Sequence, residues 1–138
     1  MAELKQFRLE VISPERIFYT GDVEMVELST TEGDIGILAG HIPLTTIVAP
    51  GVLTISGPDN KKKEAAVLEG FMEITGDKVT ILAQSCEWPD EIDVERAIEA
   101  RERAERRLKS SDANINLARA ELALKKSLVR LELADKKS

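Results

Sequence analysis

A chain of 138 residues with 43% hydrophobic and 32% charged side chains can bury one modest core. The formal net charge of −6 argues against a general nucleic-acid-binding protein, which usually has a basic surface. Charges are spread over residues 1–20, so we expect no signal peptide, and no stretch of the sequence is apolar enough to span a membrane. The single cysteine, Cys86, suits a reducing compartment. We therefore expect a soluble cytoplasmic protein that meets a membrane only as a peripheral part of a complex.

The chain divides near residue 89 into two regions of different composition. All eight glycines and all five prolines precede residue 91. The net charge is −8 up to residue 90 and +2 beyond it. Glycine and proline are the strongest interruptions of regular structure. We therefore predict two domains, residues 1–88 and residues 89–138.

The first region predicts short strands separated by turns. Segments of alternating or β-branched apolar residues occur at 7–11, 23–28, 52–55, 71–74 and 79–82. Gly, Pro, Asp and Asn residues lie between them and favour turns. Strands at such regular intervals favour an antiparallel β-sandwich or barrel over βαβ units, and the sandwich is the better fit.

The second region predicts two helices joined by a short turn. Asp93 is a candidate N-cap, and apolar residues follow it at helical spacing as far as Leu108. The polar residues 109–112 end this helix and offer Asp112 as the N-cap of a second one, which runs to Leu133 or slightly beyond. A short connection between two long helices implies an antiparallel hairpin. The predicted fold class is therefore α+β, with a sandwich followed by a helical hairpin.

The second helix has two opposed apolar stripes. The first stripe contains Ile115, Ala118, Leu122, Val129 and Leu133, and the second contains Leu117, Ala120, Leu124, Leu128 and Leu131. Both could pack within this chain, one on the first helix and one on the sandwich. Alternatively, one stripe could leave the sandwich for a helix of another protein. The sequence favours neither interpretation.

Basic residues form rows on both predicted helices. Arg119, Lys126 and Arg130 project from one side of the second helix, and Arg96 and Arg103 lie seven residues apart on the first. One interpretation is a solvated surface with local ion pairs, such as Arg103 with the residue four positions before it, Glu99. The other is an anion site, to which a polyphosphate would be suited.

No catalytic motif is present in the sequence. The phosphate loop of Walker-type enzymes is absent. One histidine, His41, and one cysteine exclude a His/Cys metal cluster. We therefore expect no enzymatic activity, no metal site and no required cofactor.

Three segments resemble the epsilon subunit family of bacterial F-type ATP synthases. Residues 32–44, EGDIGILAGHIPL, are similar to the acidic-Gly-acidic and Gly-His-x-Pro-Leu signature of that family. Residues 69–74 and 77–83 are similar to its last pair of strands. Residues 92–97, IDVERA, are similar to the I/L-D-x-x-R-A motif that opens the C-terminal hairpin in its ATP-binding members.

The resemblance implies a ten-stranded sandwich that binds the gamma subunit and the ring of c subunits. It also implies a hairpin that either folds onto the sandwich or extends along gamma towards the alpha and beta subunits, where it would inhibit ATP hydrolysis. Such a subunit would lie peripherally on the cytoplasmic face of the cell membrane, without inserting into it. Two alternatives are a structural adaptor with an inert hairpin and a free-standing nucleotide sensor.

The resemblance also implies roles for individual residues. A turn carrying Glu32, Asp34 and His41 would meet the ring, and Arg119 and Lys125 would meet an acidic segment of the beta subunits. ATP, as a regulatory ligand, would be bound by Glu87, Ile92, Asp93, Arg96, Ala97, Arg103, Lys126 and Arg130. Lys126 stands where the ATP-binding pattern has arginine, which keeps the charge but loses the bidentate phosphate geometry.

Overall fold

Strands fill the first part of the chain and helices the second in the computed structural model, which describes residues 5–58 and 61–135. The chain divides between Glu87 and Trp88 into two compact units. Within the described residues, the first unit contains β1 (Phe7–Ile12), β2 (Ile17–Val23), β3 (Met25–Thr30), β4 (Gly33–Leu38), β5 (Leu44–Val48), β6 (Gly51–Ser56), β7 (Lys62–Val67), β8 (Gly70–Thr75), β9 (Lys78–Ala83) and β10 (Cys86–Glu87). The second contains a single 3-10 turn (Pro89–Glu91), α1 (Val94–Lys109) and α2 (Leu117–Asp135).

The strands form one continuous hydrogen-bonded sheet that folds into a sandwich. Its order is β10-β7-β6-β3-β5-β8-β9-β1-β2, and β4 pairs with β3 outside this path. The predicted fold class, a sandwich of about ten strands followed by a helical hairpin, is confirmed. One pair differs from the antiparallel arrangement expected from the sequence, because β1 and β9 run parallel. These two strands are far apart in the sequence, so no hairpin fixes their relative direction.

An aliphatic core lies inside the sandwich. Phe7, Leu9 and Val11 of β1 are buried, while Arg8 and Glu10 between them face outward. The same alternation recurs along β3, β8 and β9 because successive side chains of a strand point to opposite faces of the sheet. The low aromatic content predicted this aliphatic core.

The segment 23–28, predicted as one strand, belongs to two strands. Val23 ends β2, Met25 begins β3, and the N–H of Glu24 between them donates to the carbonyl of Ser56 at 2.8 Å. Val23 and Val26 are both buried although they are three residues apart. Buried residues within one strand are two positions apart, so this spacing of three marks the junction between β2 and β3.

The N-terminus of each helix is fixed by a side-chain cap. Asp93 caps α1 as predicted, since its Oδ1 accepts the N–H of Arg96 at 3.2 Å. The second helix begins later than predicted, at Leu117, because Oδ1 of Asn116 accepts the N–H of Arg119 at 3.1 Å. Asp112, the predicted N-cap, instead accepts the N–H of the residue two positions further along, within the connection between the two helices.

The two helices pack against each other as a hairpin. The residues that α1 buries are Ala97 and Ala104, seven positions apart on one face. The buried residues of α2 are Ala120, Ser127, Val129 and Leu133, which occupy two opposite faces. In the part of the chain that the structure describes, no helix is long and apolar enough to cross a membrane.

Candidate functional sites

The I-D-x-x-R-A segment forms the start of α1. Ile92 is buried just before the cap, Asp93 is the cap, and Ala97 is buried one turn into the helix. Apolar residues just before the cap and at the fourth helical position are those of a hydrophobic staple, which fixes the direction of chain entry. The start of the helix therefore explains why three residues of the motif have the side chains they have. It does not explain Arg96, whose side chain is exposed.

The two arginines of the basic row on α1 form no ion pair with the residues that the structure describes. Arg96 and Arg103 are exposed, lie seven residues apart on one face, and pair with no carboxylate within residues 5–58 and 61–135. The local pair suggested by the sequence, between Arg103 and Glu99, is not formed. Instead Arg101 pairs with Glu105 at 3.4 Å. Arg96 and Arg103 are thus available to an anion from outside the chain.

The basic row on α2 differs from that on α1. Lys126 and Arg130 are half-buried, and each already interacts with another group of the protein. Lys126 and Arg130 are therefore not available as unpaired cations. Arg119 and Lys125, the predicted contacts for beta subunits, are both exposed. Six residues separate them, which places them about 120° apart around the helix, so they do not share a face.

Glu87, predicted near the nucleotide, is the last residue of the sandwich unit. It ends β10 and lies opposite Ala66 of β7. Its side chain is half-buried.

The three residues assigned to one ring-binding turn lie near the two opposite ends of β4. Glu32 lies in the turn before β4, and Asp34 is the second residue of this strand, where its Oδ1 accepts the hydroxyl of Ser29 at 2.8 Å. His41 follows the other end of β4, where its N–H donates to the carbonyl of Leu38 at 3.3 Å. The expectation of a single turn fails because residues 33–38 form a strand, whose two ends are about 16 Å apart.

Glycines allow both of these turns. Gly33 has a φ of 120° and Gly40 has a φ of 83°, and residues with a Cβ rarely adopt either value. Two of the glycines in the signature, Gly33 and Gly40, therefore have a conformational role. Near His41, the side chain of Ile42 is 73% exposed.

Five neighbouring strands present a row of outward-facing apolar side chains. Ile47 of β5 lies opposite Phe71 of β8, which lies opposite Leu82 of β9. Leu82 lies opposite Ile12 of β1, which lies opposite Ile17 of β2. The exposed fractions of Ile47, Phe71, Leu82 and Ile17 are 55%, 44%, 52% and 67%, and Ile12 is half-buried. We refer to these five side chains as the apolar row.

Polar residues border the apolar row on this outer face, and two of them form an ion pair. Next to the apolar row, Glu73 lies opposite Thr80, which lies opposite Glu10. Nζ of Lys78 lies 2.7 Å from Oε1 of Glu10, and this hydrogen bond is the main reason that the pKa of Glu10 is lowered. The apolar row is therefore bordered by a polar surface that includes the ion pair of Glu10 with Lys78.

Comparison with known proteins gives a match over almost the whole chain. The family model for the ATP synthase delta/epsilon chain β-sandwich domain matches residues 6–89, and the model for its long α-helix domain matches residues 90–135. The chain belongs to the ATP synthase delta/epsilon chain family. It is 50% identical over 133 residues to the ATP synthase epsilon chain of Caldanaerobacter subterraneus subsp. tengcongensis, with 96% of each chain covered. It is 43% identical over 132 residues to that of Caldicellulosiruptor bescii, again with 96% of each covered.

A solved structure of an ATP synthase gives the same fold. A chain in the Euglena gracilis mitochondrial ATP synthase, described as OSCP/F1/c-ring in rotational state 1, superimposes with a TM-score of 0.81. The sequences are 26% identical, and the match covers 96% of this chain and 84% of that chain. The recognition of the epsilon family from three short segments is thereby confirmed.

The apolar row was not identified from the sequence of this epsilon-family chain. Each of its residues lies in a different strand, and only the strand register brings them into line. A signal was nevertheless present. Phe71 and Leu82 alternate with buried residues, so they are apolar side chains at positions where the pattern places them outside.

Proposed function

We propose that this chain is the epsilon subunit of the central stalk of an F-type ATP synthase, without catalytic chemistry of its own. The sandwich docks on the gamma subunit through the apolar row, and this row is the observation that carries the proposal. Contiguous exposed apolar side chains of this kind mark protein interfaces. Burying one such side chain completely contributes about 1.5–3 kcal/mol, so several together can support a stable complex. The subunit would lie at the cytoplasmic face of the cell membrane as a peripheral component.

Substitution of Phe71 tests the gamma interface. Phe71→Ser removes the central side chain of the apolar row, and we expect gamma binding by the full chain to weaken at least about tenfold. Glu73→Ser is the matched control, since Glu73 faces outward on the same strand beside the row. Equal gamma binding by both variants and the unmodified chain, all folded by circular dichroism, would exclude this interface.

The contact with the ring of c subunits is proposed for the edges of the sandwich at the two ends of β4. Because Glu32 and His41 lie at opposite ends of this strand, a ring contact at Glu32 and a ring contact at His41 are two separate hypotheses. Single cysteines at each position in a Cys86→Ser background, followed by cross-linking in the assembled enzyme, distinguish them. Failure of both positions to cross-link to the ring would remove the ring contact from the proposal.

The hairpin is proposed to inhibit ATP hydrolysis by extending towards the alpha and beta subunits. In support, α2 leaves Leu117 and Leu128 about half exposed, at 52% and 47%, beside its buried residues. A partner helix could cover these side chains in the extended state. Removal of residues 112–138 should raise ATP hydrolysis by the assembled enzyme. Unchanged hydrolysis would favour the alternative, an adaptor with an inert hairpin.

ATP is proposed to hold the hairpin in its compact state. The support comes from the free guanidinium groups of Arg96 and Arg103, which could bind phosphate oxygens by charge-assisted hydrogen bonds. Lys126 and Arg130 would contribute from α2 by exchanging their present interactions for the nucleotide. High ATP would then oppose inhibition, and falling ATP would release the hairpin, to the extent that ATP prefers the compact state.

Calorimetry with ATP tests this regulatory role. Arg96→Ala should weaken binding at least about fivefold, because a hydrogen bond to a charged group is lost. Arg101→Ala is the control, since Arg101 is already paired with Glu105. Lys126→Arg should tighten binding by restoring a forked donor. No heat of binding at millimolar ATP, in the unmodified chain and in Lys126→Arg, would exclude ATP as a ligand.

A free-standing nucleotide sensor is the remaining alternative. It requires no stable complex with gamma. Co-purification of gamma with the full chain, abolished by Phe71→Ser, would therefore exclude it.

A further inference from the structure

A cleft of about 320 Å³ lies at the closed end of the hairpin, away from the positions proposed for ATP, and it includes Arg119, one of the predicted beta-subunit contacts. It is lined by Arg107 in the last turn of α1, by Asn114, Ile115 and Asn116 of the connection, and by Arg119 and Ala120 in the first turn of α2. Its volume exceeds that of a tetrahedral oxyanion. All six residues belong to the helical unit.

The charge in this cleft is uncompensated. Neither Arg107 nor Arg119 forms an ion pair within the part of the chain that the structure describes. The carboxylate in the connection is that of Asp112, which does not line the cleft and accepts the N–H of Asn114 at 2.9 Å. Two guanidinium groups that face one cleft repel each other, and an anion between them would replace this repulsion with attraction.

The side chains that line the cleft carry mainly hydrogen-bond donors. Oδ1 of Asn116 already accepts the N–H of Arg119, and its Nδ2 amide offers two further N–H donors. Each guanidinium carries five N–H donors and no acceptor. No carboxylate lines the cleft. Such a set of donors matches the oxygens of a phosphate group and would reject a cation.

We propose that this cleft binds a phosphate group, either as inorganic phosphate or as the phosphate of a nucleotide. The site is distinct from the start of α1, because Arg96 and Arg107 are eleven positions apart, which corresponds to about 16 Å along the helix. A bound phosphate contacts the last turn of α1 and the first turn of α2 together. It therefore holds the two helices together at the turn of the hairpin, independently of any ligand at the start of α1.

The test is a titration of the full chain with inorganic phosphate, followed by NMR at the side-chain amides of Asn114 and Asn116. Chloride at matched ionic strength is the reference for non-specific effects. Saturable shifts with phosphate and none with chloride are expected. Arg107→Gln and Arg119→Gln should each weaken binding about three- to tenfold, whereas Arg106→Gln, in the same turn of α1 but outside the cleft, should leave it unchanged.

Asn116→Asp provides a second variant that keeps the helix intact. Aspartate is as good an N-cap as asparagine, but it places a carboxylate where the phosphate would lie. Binding should be lost while the helicity measured by circular dichroism is retained. Retained phosphate binding in this variant would overturn the proposal. An equal loss in Arg106→Gln and Arg107→Gln, or no saturable shift in the unmodified chain, would do the same.

ADP and ATP identify the source of the phosphate. Their titrations are carried out in Arg96→Ala, which weakens the ATP site proposed above. Shifts of the two amides at lower concentrations of nucleotide than of inorganic phosphate assign the cleft to a nucleotide phosphate. The opposite order assigns it to the free anion.

Discussion

Replacing Asp93 separates two roles that its carboxylate could have at the start of α1. Oδ1 of Asp93 accepts the N–H of Arg96 at 3.2 Å, and its carbonyl accepts the N–H of Ala97 at 3.0 Å. Loss of an N-cap acceptor costs about 1 kcal/mol, and loss of a negative charge near a helix N-terminus costs a further ~0.3–1 kcal/mol. Asp93→Ala removes both contributions and should destabilise the first turn by about 1–2 kcal/mol. Asp93→Asn keeps the cap and loses only the smaller contribution.

Hydrogen exchange at the amide of Arg96 measures this difference in the full chain. A local destabilisation of about 1–2 kcal/mol accelerates exchange about 5- to 30-fold, and Asp93→Asn should accelerate it by less than about fivefold. Exchange rates unaltered by Asp93→Ala would refute the capping role. An equal acceleration in both variants would show that the charge, and not the cap, stabilises the turn.

The same pair of variants tests the contact of Asp93 with ATP. If the carboxylate acts only as a cap, Asp93→Asn should bind ATP as the unmodified chain does. If the carboxylate contacts the nucleotide, Asp93→Asn should bind more weakly although the helix is intact. Calorimetry on the two variants decides between these roles.

Two further predictions concern the sandwich. A Cβ at Gly70 would lie 2.9 Å from Cα of Ala83, so Gly70→Ala should lower the free energy of unfolding by about 1–3 kcal/mol in denaturant titrations. Gly57→Ala, whose new methyl would meet only ordinary contacts, should stay within about 1 kcal/mol of the unmodified chain. The depressed pKa of Glu10 means that its interaction with Lys78 stabilises the fold above the unfolded-state pKa and is lost as the pH falls through the folded-state pKa. Lys78→Gln should raise the pKa of Glu10 in an NMR titration, and an unchanged value would contradict the assigned cause.

The elements that were predicted correctly depend on short-range interactions. The cap of α1 needs only an aspartate three residues before the N–H that it accepts, and this spacing is visible in the sequence. The start of α2 was misplaced for a related reason. Asp112 and Asn116 both have cap-forming side chains, and their local sequences do not distinguish them. The structure selects Asn116 because Asp112 bonds within the connection.

The candidate sites were predicted less completely than the fold. The sequence correctly identified Arg96 and Arg103 as a pair on one face of α1, because helical periodicity fixes their relative direction. It suggested a partner for Arg103 that the structure does not show, and it did not show that Lys126 and Arg130 have partners. Ion pairs are formed by long, flexible side chains whose choice of partner depends on the packed structure.

By itself, the sequence determined the change from strands to helices, the aliphatic core and the family. Each of these follows from composition, from periodicity within one segment, or from short motifs. Only the tertiary structure decided the parallel pairing of β1 with β9, the separation of Glu32 from His41, and the alignment of Phe71 and Leu82 in the apolar row. The separation of Glu32 from His41 depends on residues 33–38 forming a strand, and the alignment of Phe71 with Leu82 depends on the register of two consecutive strands. The pairing of β1 with β9 depends on the register between strands that are distant in the chain. That register is set by packing of the whole sandwich core, so no single segment of the sequence contains it.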